Sequence, residues 1–220
     1  MAYQHKMADG SAIALPVGKV VCVGRNYAEH ARELNNEVPS EPLLFMKPAG
    51  ALCPMSEPIR VPRGLGSVHF ETELAVLIGE PLSRVDEQAA QHAIAGIGLA
   101  LDLTLRDLQD RLKAKGHPWE RAKAFDGACP LSPFLTPASV GDLTDLQLRL
   151  SVNGEVRQQG NSAQMLTPIL ALISYISQWF TLEPGDVVLT GTPAGVGVLE
   201  PGDRLRVEIV DLLRVDTCAA

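Results

Sequence analysis

A β-rich α+β domain is the fold class this sequence predicts, on three observations. Short β-branched and apolar runs recur along the 220 residues, each bounded by Gly, Pro, Asn or Asp. Asn153-Gly154 sits between the alternating segments LRLSV and EVRQQ, a strong two-residue hairpin signal. Glu-Pro-Gly-Asp occurs at 183–186 and again at 200–203, each copy a Pro-Gly turn opening onto a strand, VVLTG and RLRVEIV. The two copies read as successive turns of one β-roll. Helical patterns are few, and no interdomain linker is visible.

The elements follow in order. Residues 1–16 read as a lead-in, loosely structured apart from a short hairpin around Asp9-Gly10, and 17–220 as a single domain. Lys19 to Val23 is a β-branched strand stopped by Gly24, and Tyr27 to Leu34 a short helix. Leu43 to Met46 is a brief strand ended by Lys47-Pro48, and the Pro- and Gly-rich 48–68 is loop with one extended piece. A strand carrying Glu71 and Glu73 comes next, then a helix near Asp86 to Ala95. The run AIAGIGLALDLT is a strand that ends at Asp102. LRDLQDRLKAKG is a helix with Leu105, Leu108 and Leu112 at helical spacing, and Thr104 and Asp107 predict a capping box at its start. Gly116 to Pro137 reads as a long loop and Met165 to Trp179 as an apolar helix. The most apolar late stretch, Pro168 to Phe180, is shorter than the ~20 residues a membrane span needs.

A net charge of -7 and no basic run argue against nucleic acid as the main partner. Cys22, Cys53, Cys129 and Cys218 form no CxxC pair and read as inert thiols. The N-terminal MAYQHKMADGSA lacks a signal peptide's apolar core. The expectation is a soluble cytoplasmic protein with no membrane partner.

Chemistry enters at Glu71 and Glu73. Strand side chains repeat every two residues, so both project from one face beside a core. Two anions there repel and lose hydration, and a hard divalent cation is the simplest offset. Asp102, at a strand end just before a helix, is a third carboxylate of the same kind. Three such ligands would leave an octahedral magnesium ion roughly three positions for water or a chelating substrate. Arg106 and Gln109 share a helix face one turn beyond. His30 and Glu33 share another, as a base with its orienting carboxylate or as a solvated helix surface; Arg25, just before them in a polar junction, favours the first. Lys123 lies between turn residues, where a solubilising role is the ordinary reading, while Lys47, wedged after an apolar run, suits an anion in a cleft. The stretch Thr190 to Gly197 lacks the GK[ST] of a phosphate loop, but its glycines let Thr192 and backbone N–H groups approach a ligand.

GRNYAEHARE, LLFMKP, HFETELAVLIG, LALDLTLRDLQ, AKAFDGACPLSPF and VVLTGTPAGVG, in that order, resemble the fumarylacetoacetate hydrolase family from about residue 17 onward. The nearest type is the small single-domain acylpyruvate hydrolase and oxaloacetate decarboxylase. The resemblance implies a mixed β-sandwich roll, a homodimer, and Mg2+ or Mn2+ on Glu71, Glu73 and Asp102. It implies a His30–Glu33 dyad on a lid, catalysis with Lys123, and substrate contact by Lys47, Arg106, Gln109 and Thr192, while Arg25, from its polar junction, is expected to bind substrate as well. Phe45, Met46, Trp119 and Phe125 are expected in the pocket wall.

The leading expectation is metal-dependent C–C cleavage of a small 2-oxo acid such as acetylpyruvate or fumarylpyruvate, through a pyruvate enolate. The alternatives are oxaloacetate decarboxylation or keto–enol tautomerisation, isomerisation or decarboxylation of a dioate of aromatic catabolism, and a non-catalytic metal- or carboxylate-binding module.

Overall fold

The computed structural model describes residues 3–220. Strand β1 (Val20–Gly24) leads into helix α1 (Ala28–Glu33), and β2 (Leu43–Lys47) returns antiparallel to β1. β3 (Leu52–Pro54) follows, then β4 (Val68–Phe70) and β5 (Thr72–Ile78), parted only by Glu71. Helix α2 (Glu87–His92) precedes β6 (Ile94–Leu101), and β7 (Thr104–Leu105) precedes α3 (Arg106–Ala114). The stretch expected to be loop holds α4 (Glu120–Lys123) and β8 (Cys129–Leu131), with α5 (Pro137–Val140) starting at its end. β9 (Gln147–Val152) and β10 (Glu155–Asn161) form the expected hairpin, with φ of 54° and 88° at Asn153 and Gly154, as a type I′ turn requires. Helix α6 (Ile169–Trp179), β11 (Val187–Leu189), β12 (Gly197–Val198), β13 (Arg204–Ile209) and β14 (Leu213–Cys218) complete the chain.

The strands form a curled seven-stranded sheet (β2-β1-β11-β5-β6-β8-β3), a four-stranded sheet (β10-β9-β13-β14) and a small three-stranded one (β12-β4-β7). This is the β-rich α+β fold the sequence predicts. The large sheet is covered on both faces. Val21, Leu74, Val76 and Ile78 point into the main core with Leu148, Val207 and Ile173, while Val20, Cys22, Ala75 and Leu77 point into a second core with Phe134. Period-two alternation with both sides apolar is the mark of a central strand, and β5 is buried at every residue.

Several local expectations are corrected. Residues 3–15 are not loose: Tyr3, Met7, Ile13 and Leu15 pack on the second core, and His5 is buried with Nε2 3.1 Å from the Gly185 carbonyl. The Asp9-Gly10 hairpin is present, Lys6 bridging Ala12. The Thr104–Asp107 capping box is not: α3 starts at Arg106, Thr104 Oγ1 donates to the Asp102 carbonyl, and the Asp107 carboxylate takes the Ser67 N–H. The helix expected from Met165 begins at Ile169, after Pro168, whose ring fits a helix start. The two Glu-Pro-Gly-Asp turns do not build one β-roll; their strands β11 and β13 lie in different sheets. Among the described residues no helix is long and apolar enough to cross a membrane.

Candidate metal centre and active site

The site forms where the chain changes sheets. β4 belongs to the three-stranded sheet and β5 to the large one, and Glu71 is the residue between them. β5 and β6 pair antiparallel with Glu73 opposite Ala100, so the start of β5 meets the end of β6. The Asp102 N–H donates to the Glu71 carbonyl at 2.8 Å. The ladder therefore delivers Glu71, Glu73 and Asp102 to one point, with one carboxylate oxygen from each within 4.8 Å of the others. All three are buried.

Buried carboxylates demand compensation. Lys123 Nζ bonds Glu71 Oε2 at 2.8 Å and Asp102 Oδ2 at 2.6 Å, and Lys47 Nζ lies 2.7 Å from Asp102 Oδ1. Arg106 donates to Glu71 Oε1 and to Gln109 Oε1, the latter at 2.7 Å. Burial opposes the Glu71 charge, but Lys123 and Arg106 outweigh it and hold the carboxyl well below the usual range. Burial also opposes a charged Lys123, yet Asp102 and Glu71 push its ammonium up to about 12.

Glu73 differs. Among the described residues no cation lies within 4.0 Å of it; its recorded partner is the Gly191 N–H, 2.6 Å from Oε2. Burial, Asp102 and Glu71 together push its carboxyl well above the usual range. A divalent cation among three hard oxygen donors, one of them an uncompensated buried carboxylate, fits this donor set. Gly191 is required there: its φ is +92°, and a Cβ would meet the Asn26 Cβ at 2.6 Å.

This gives a measurable expectation. At free Mg2+ about 1,000-fold above Kd, binding to the folded chain alone adds about 4 kcal/mol. For 220 residues that is a rise of about 8–16 °C in Tm. Glu73→Gln keeps an acceptor for the Gly191 N–H, so its metal-free Tm should match or exceed the original while the magnesium-dependent rise disappears. Thermal melts in MgCl2, MnCl2 and EDTA check this; a rise that survives the substitution places the ion elsewhere.

The remaining candidates arrive from four directions. Helix α1 buries His30, whose Nδ1 is 3.5 Å from Glu33 Oε2 and has no hydrogen-bond partner. Both Glu33 oxygens accept the Gly195 N–H, at 3.0 and 3.1 Å. Burial lowers the His30 pKa, against an upward pull from Glu71 and Glu33. Helix α3 presents Arg106 and Gln109, α4 presents Lys123, and the turn after β11 presents Thr192. One narrow cavity of about 40 Å³ is lined by His30, Arg106, Gln109, Lys123, Thr192 and the three carboxylates, and Arg25 also faces it.

Lys47 is placed differently. It is 0% exposed and does not line this cavity; its ammonium forms an ion pair with Asp102 and donates to the carbonyls of Lys123 and Ala128. It therefore sits behind the carboxylates and binds two elements together. Phe45 and Trp119 reach the cavity, whereas Met46 and Phe125 line a separate apolar cleft, contrary to expectation. Neighbouring strand residues face opposite ways, which separates Phe45 from Met46.

Gln158 escaped the sequence reading. It is buried at a bulge in β10, accepts from the Thr72 N–H at 3.0 Å and donates to Thr192 Oγ1 at 2.8 Å. One amide thus ties the residue between Glu71 and Glu73 to the glycine-rich turn. A polar pair in EVRQQ reads as an exposed hairpin arm, and only the bulge turns Gln158 inward.

Residues 19–218 match the family model described as fumarylacetoacetate (FAA) hydrolase C-terminal. The chain is 55% identical over 206 residues to the oxaloacetate tautomerase YcgM of Escherichia coli K12, covering 93% of this chain and 94% of that one. A solved fumarylacetoacetate hydrolase family protein from Yersinia pestis superposes with a TM-score of 0.97 at 52% identity, over 99% of this chain and 100% of that one. Fumarylpyruvate hydrolase from Pseudomonas aeruginosa, solved with Mn2+ and pyruvate, gives a TM-score of 0.91 at 37% identity, over 100% and 97%. A family model spanning almost every described residue, and relatives alike from end to end, lead to one conclusion: the chain belongs to the fumarylacetoacetate hydrolase family.

Proposed function

We propose that the protein is a metal-dependent oxaloacetate keto–enol tautomerase. The site geometry suits any reaction that passes through the enolate of a 2-oxo acid. The observation that favours tautomerisation among them is the 55% identity, over nearly the full length of both chains, to an oxaloacetate tautomerase. This moves the assignment from acylpyruvate hydrolysis, the leading sequence expectation, to one of its alternatives.

A magnesium or manganese ion held by Glu71, Glu73 and Asp102 would act as a Lewis acid on the 2-keto group. Arg106 and Gln109, already hydrogen-bonded to each other, bind the C1 carboxylate. His30, oriented by Glu33, takes a proton from C3. The electron pair of that C–H bond becomes the C2–C3 double bond, and charge moves to the C2 oxygen. Lys123 supplies fixed positive charge for it. A proton from solvent on that oxygen gives the enol while His30 releases the C3 proton to solvent and returns to its neutral form, and the reverse path returns the keto acid. Thr192, held by Gln158, positions the substrate. Lys47 acts by fixing Asp102 rather than by touching substrate. The homodimer implied by the family resemblance belongs to the same reading and is checked by light scattering.

The second reading, hydrolysis of a 3-acylpyruvate, is favoured by the likeness to fumarylpyruvate hydrolase. One panel separates the two. Decay of enol-oxaloacetate absorbance and pyruvate release from acetylpyruvate and fumarylpyruvate are measured with Mg2+ and with EDTA. Magnesium-dependent tautomerisation faster than any pyruvate release is the expected result; the opposite ranking makes the protein a hydrolase.

A further inference from the structure

Beside the carboxylates, the cavity has a second, cationic end. Arg25 and Lys113 both line it. Asn36 Oδ1 accepts from Arg25 Nη2 at 2.9 Å and from Lys113 Nζ at 3.4 Å. Arg25 Nη1 reaches only the Glu37 carbonyl, at 3.4 Å. Among the described residues no carboxylate lies within 4.0 Å of Arg25, and Lys113 has only the largely exposed Asp110, at 3.7 Å. Two cations therefore share one neutral oxygen. Burial and the neighbouring Arg25 and Arg106 charges outweigh Asp110 and lower the Lys113 pKa. Neutral oxygens satisfy their N–H groups but leave the charge unpaired, and a carboxylate would pair both.

The backbone holds this arrangement firmly. Arg25 has φ of 60°, a left-handed turn that a non-glycine residue seldom adopts. Asn26 enforces it: its side chain bonds the Thr167 and Thr190 carbonyls and the Thr167 N–H, and its carbonyl takes the Leu166 N–H. Lys113 continues the stripe of Arg106 and Gln109 along α3. Four residues at about 1.5 Å rise put its Cα about 6 Å beyond that of Gln109, so the two side chains stand one turn apart on one face.

We propose that Arg25 and Lys113, bridged by Asn36, form a subsite for the distal carboxylate of a short 2-oxo dicarboxylate, so that the enzyme selects diacids over monocarboxylates such as acetylpyruvate. This rests on Arg106 and Gln109 taking the C1 carboxylate, as in the proposed function.

Malate and lactate test it, since they differ only in the distal carboxylate and neither tautomerises. Binding to the magnesium-loaded protein is measured by calorimetry. The original chain should prefer malate by about tenfold or more. Lys113→Gln and Arg25→Gln should each cut malate affinity about tenfold and leave lactate within about twofold, while Lys113→Arg should keep the preference. Should Arg25→Gln fail to fold because of its left-handed turn, Lys113→Gln on the helix surface carries the test. Equal weakening of both acids, or an unchanged preference, overturns the subsite. A protein that prefers malate but does not tautomerise oxaloacetate keeps the subsite and loses the reaction. One that tautomerises but binds both acids alike does the reverse.

Discussion

His30→Ala is expected to lower kcat for oxaloacetate tautomerisation by about 10²- to 10⁴-fold, the usual contribution of a positioned proton-transfer group. Metal binding should survive, because His30 is not one of the three carboxylates and comes from a different element. Three features argue for so large an effect. The imidazole is buried at the cavity wall, its Nδ1 has no hydrogen-bond partner, and burial favours the neutral ring that can accept a proton. Glu33 is the smaller contributor. It sits 3.5 Å from Nδ1 and is anchored to the Gly195 N–H, so Glu33→Gln keeps the anchor while weakening the orientation of the ring. Exchange of the C3 protons of bound oxaloacetate with D2O, followed by NMR, reads the step directly. Exchange in His30→Ala at the original rate would assign the proton transfer to another group.

Lys123→Met tests the opposite side of the site and should show effects of opposite sign. The ammonium is shared by Glu71 and Asp102, 2.8 and 2.6 Å away. Its removal takes fixed positive charge from the position where the enolate forms, a loss of about 10²- to 10³-fold in kcat/KM. It also leaves two buried carboxylates short of a partner, which costs about 3–5 kcal/mol in the metal-free protein. Magnesium should nevertheless bind at least as tightly, because a competing cation has gone. Urea unfolding with and without Mg2+ separates these consequences: the deficit should shrink when the ion is present. A variant that loses stability, activity and metal binding together would mark Lys123 as a structural residue alone.

How far the sequence carried this result depends on the range of each interaction. Glu71, Glu73 and Asp102 were legible because strand periodicity and strand ends are local signals, and one antiparallel ladder joins them. Asn153-Gly154 was legible for the same reason, since only a few residue pairs accept two positive φ angles. The Glu-Pro-Gly-Asp copies misled because a turn's chemistry says nothing about which sheet the next strand enters. Thr104 and Asp107 matched a capping pattern, but the nearby Asp102 carbonyl took the Thr104 hydroxyl and the distant Ser67 N–H took the Asp107 carboxylate. Helix α4 is four residues long, too short to show a period. Lys113 and Asn36 carry no local signal, and only the packing of α3 beside the turn after α1 brings them together.

The pairing of β1 with β11 has a consequence for how the protein is made. Val20 to Cys22 lie parallel to Val187 to Leu189, and this pairing joins the helix bearing His30 to the turn bearing Gly191 and Thr192. A parallel contact between segments so distant in the chain is entropically costly to close and tends to form slowly. A nascent chain can complete the β5–β6 ladder, and so gather its three carboxylates, well before β11 has been synthesised. Activity should therefore lag behind secondary structure during refolding. Chains ending before Leu189 should contain all three buried carboxylates and show no turnover.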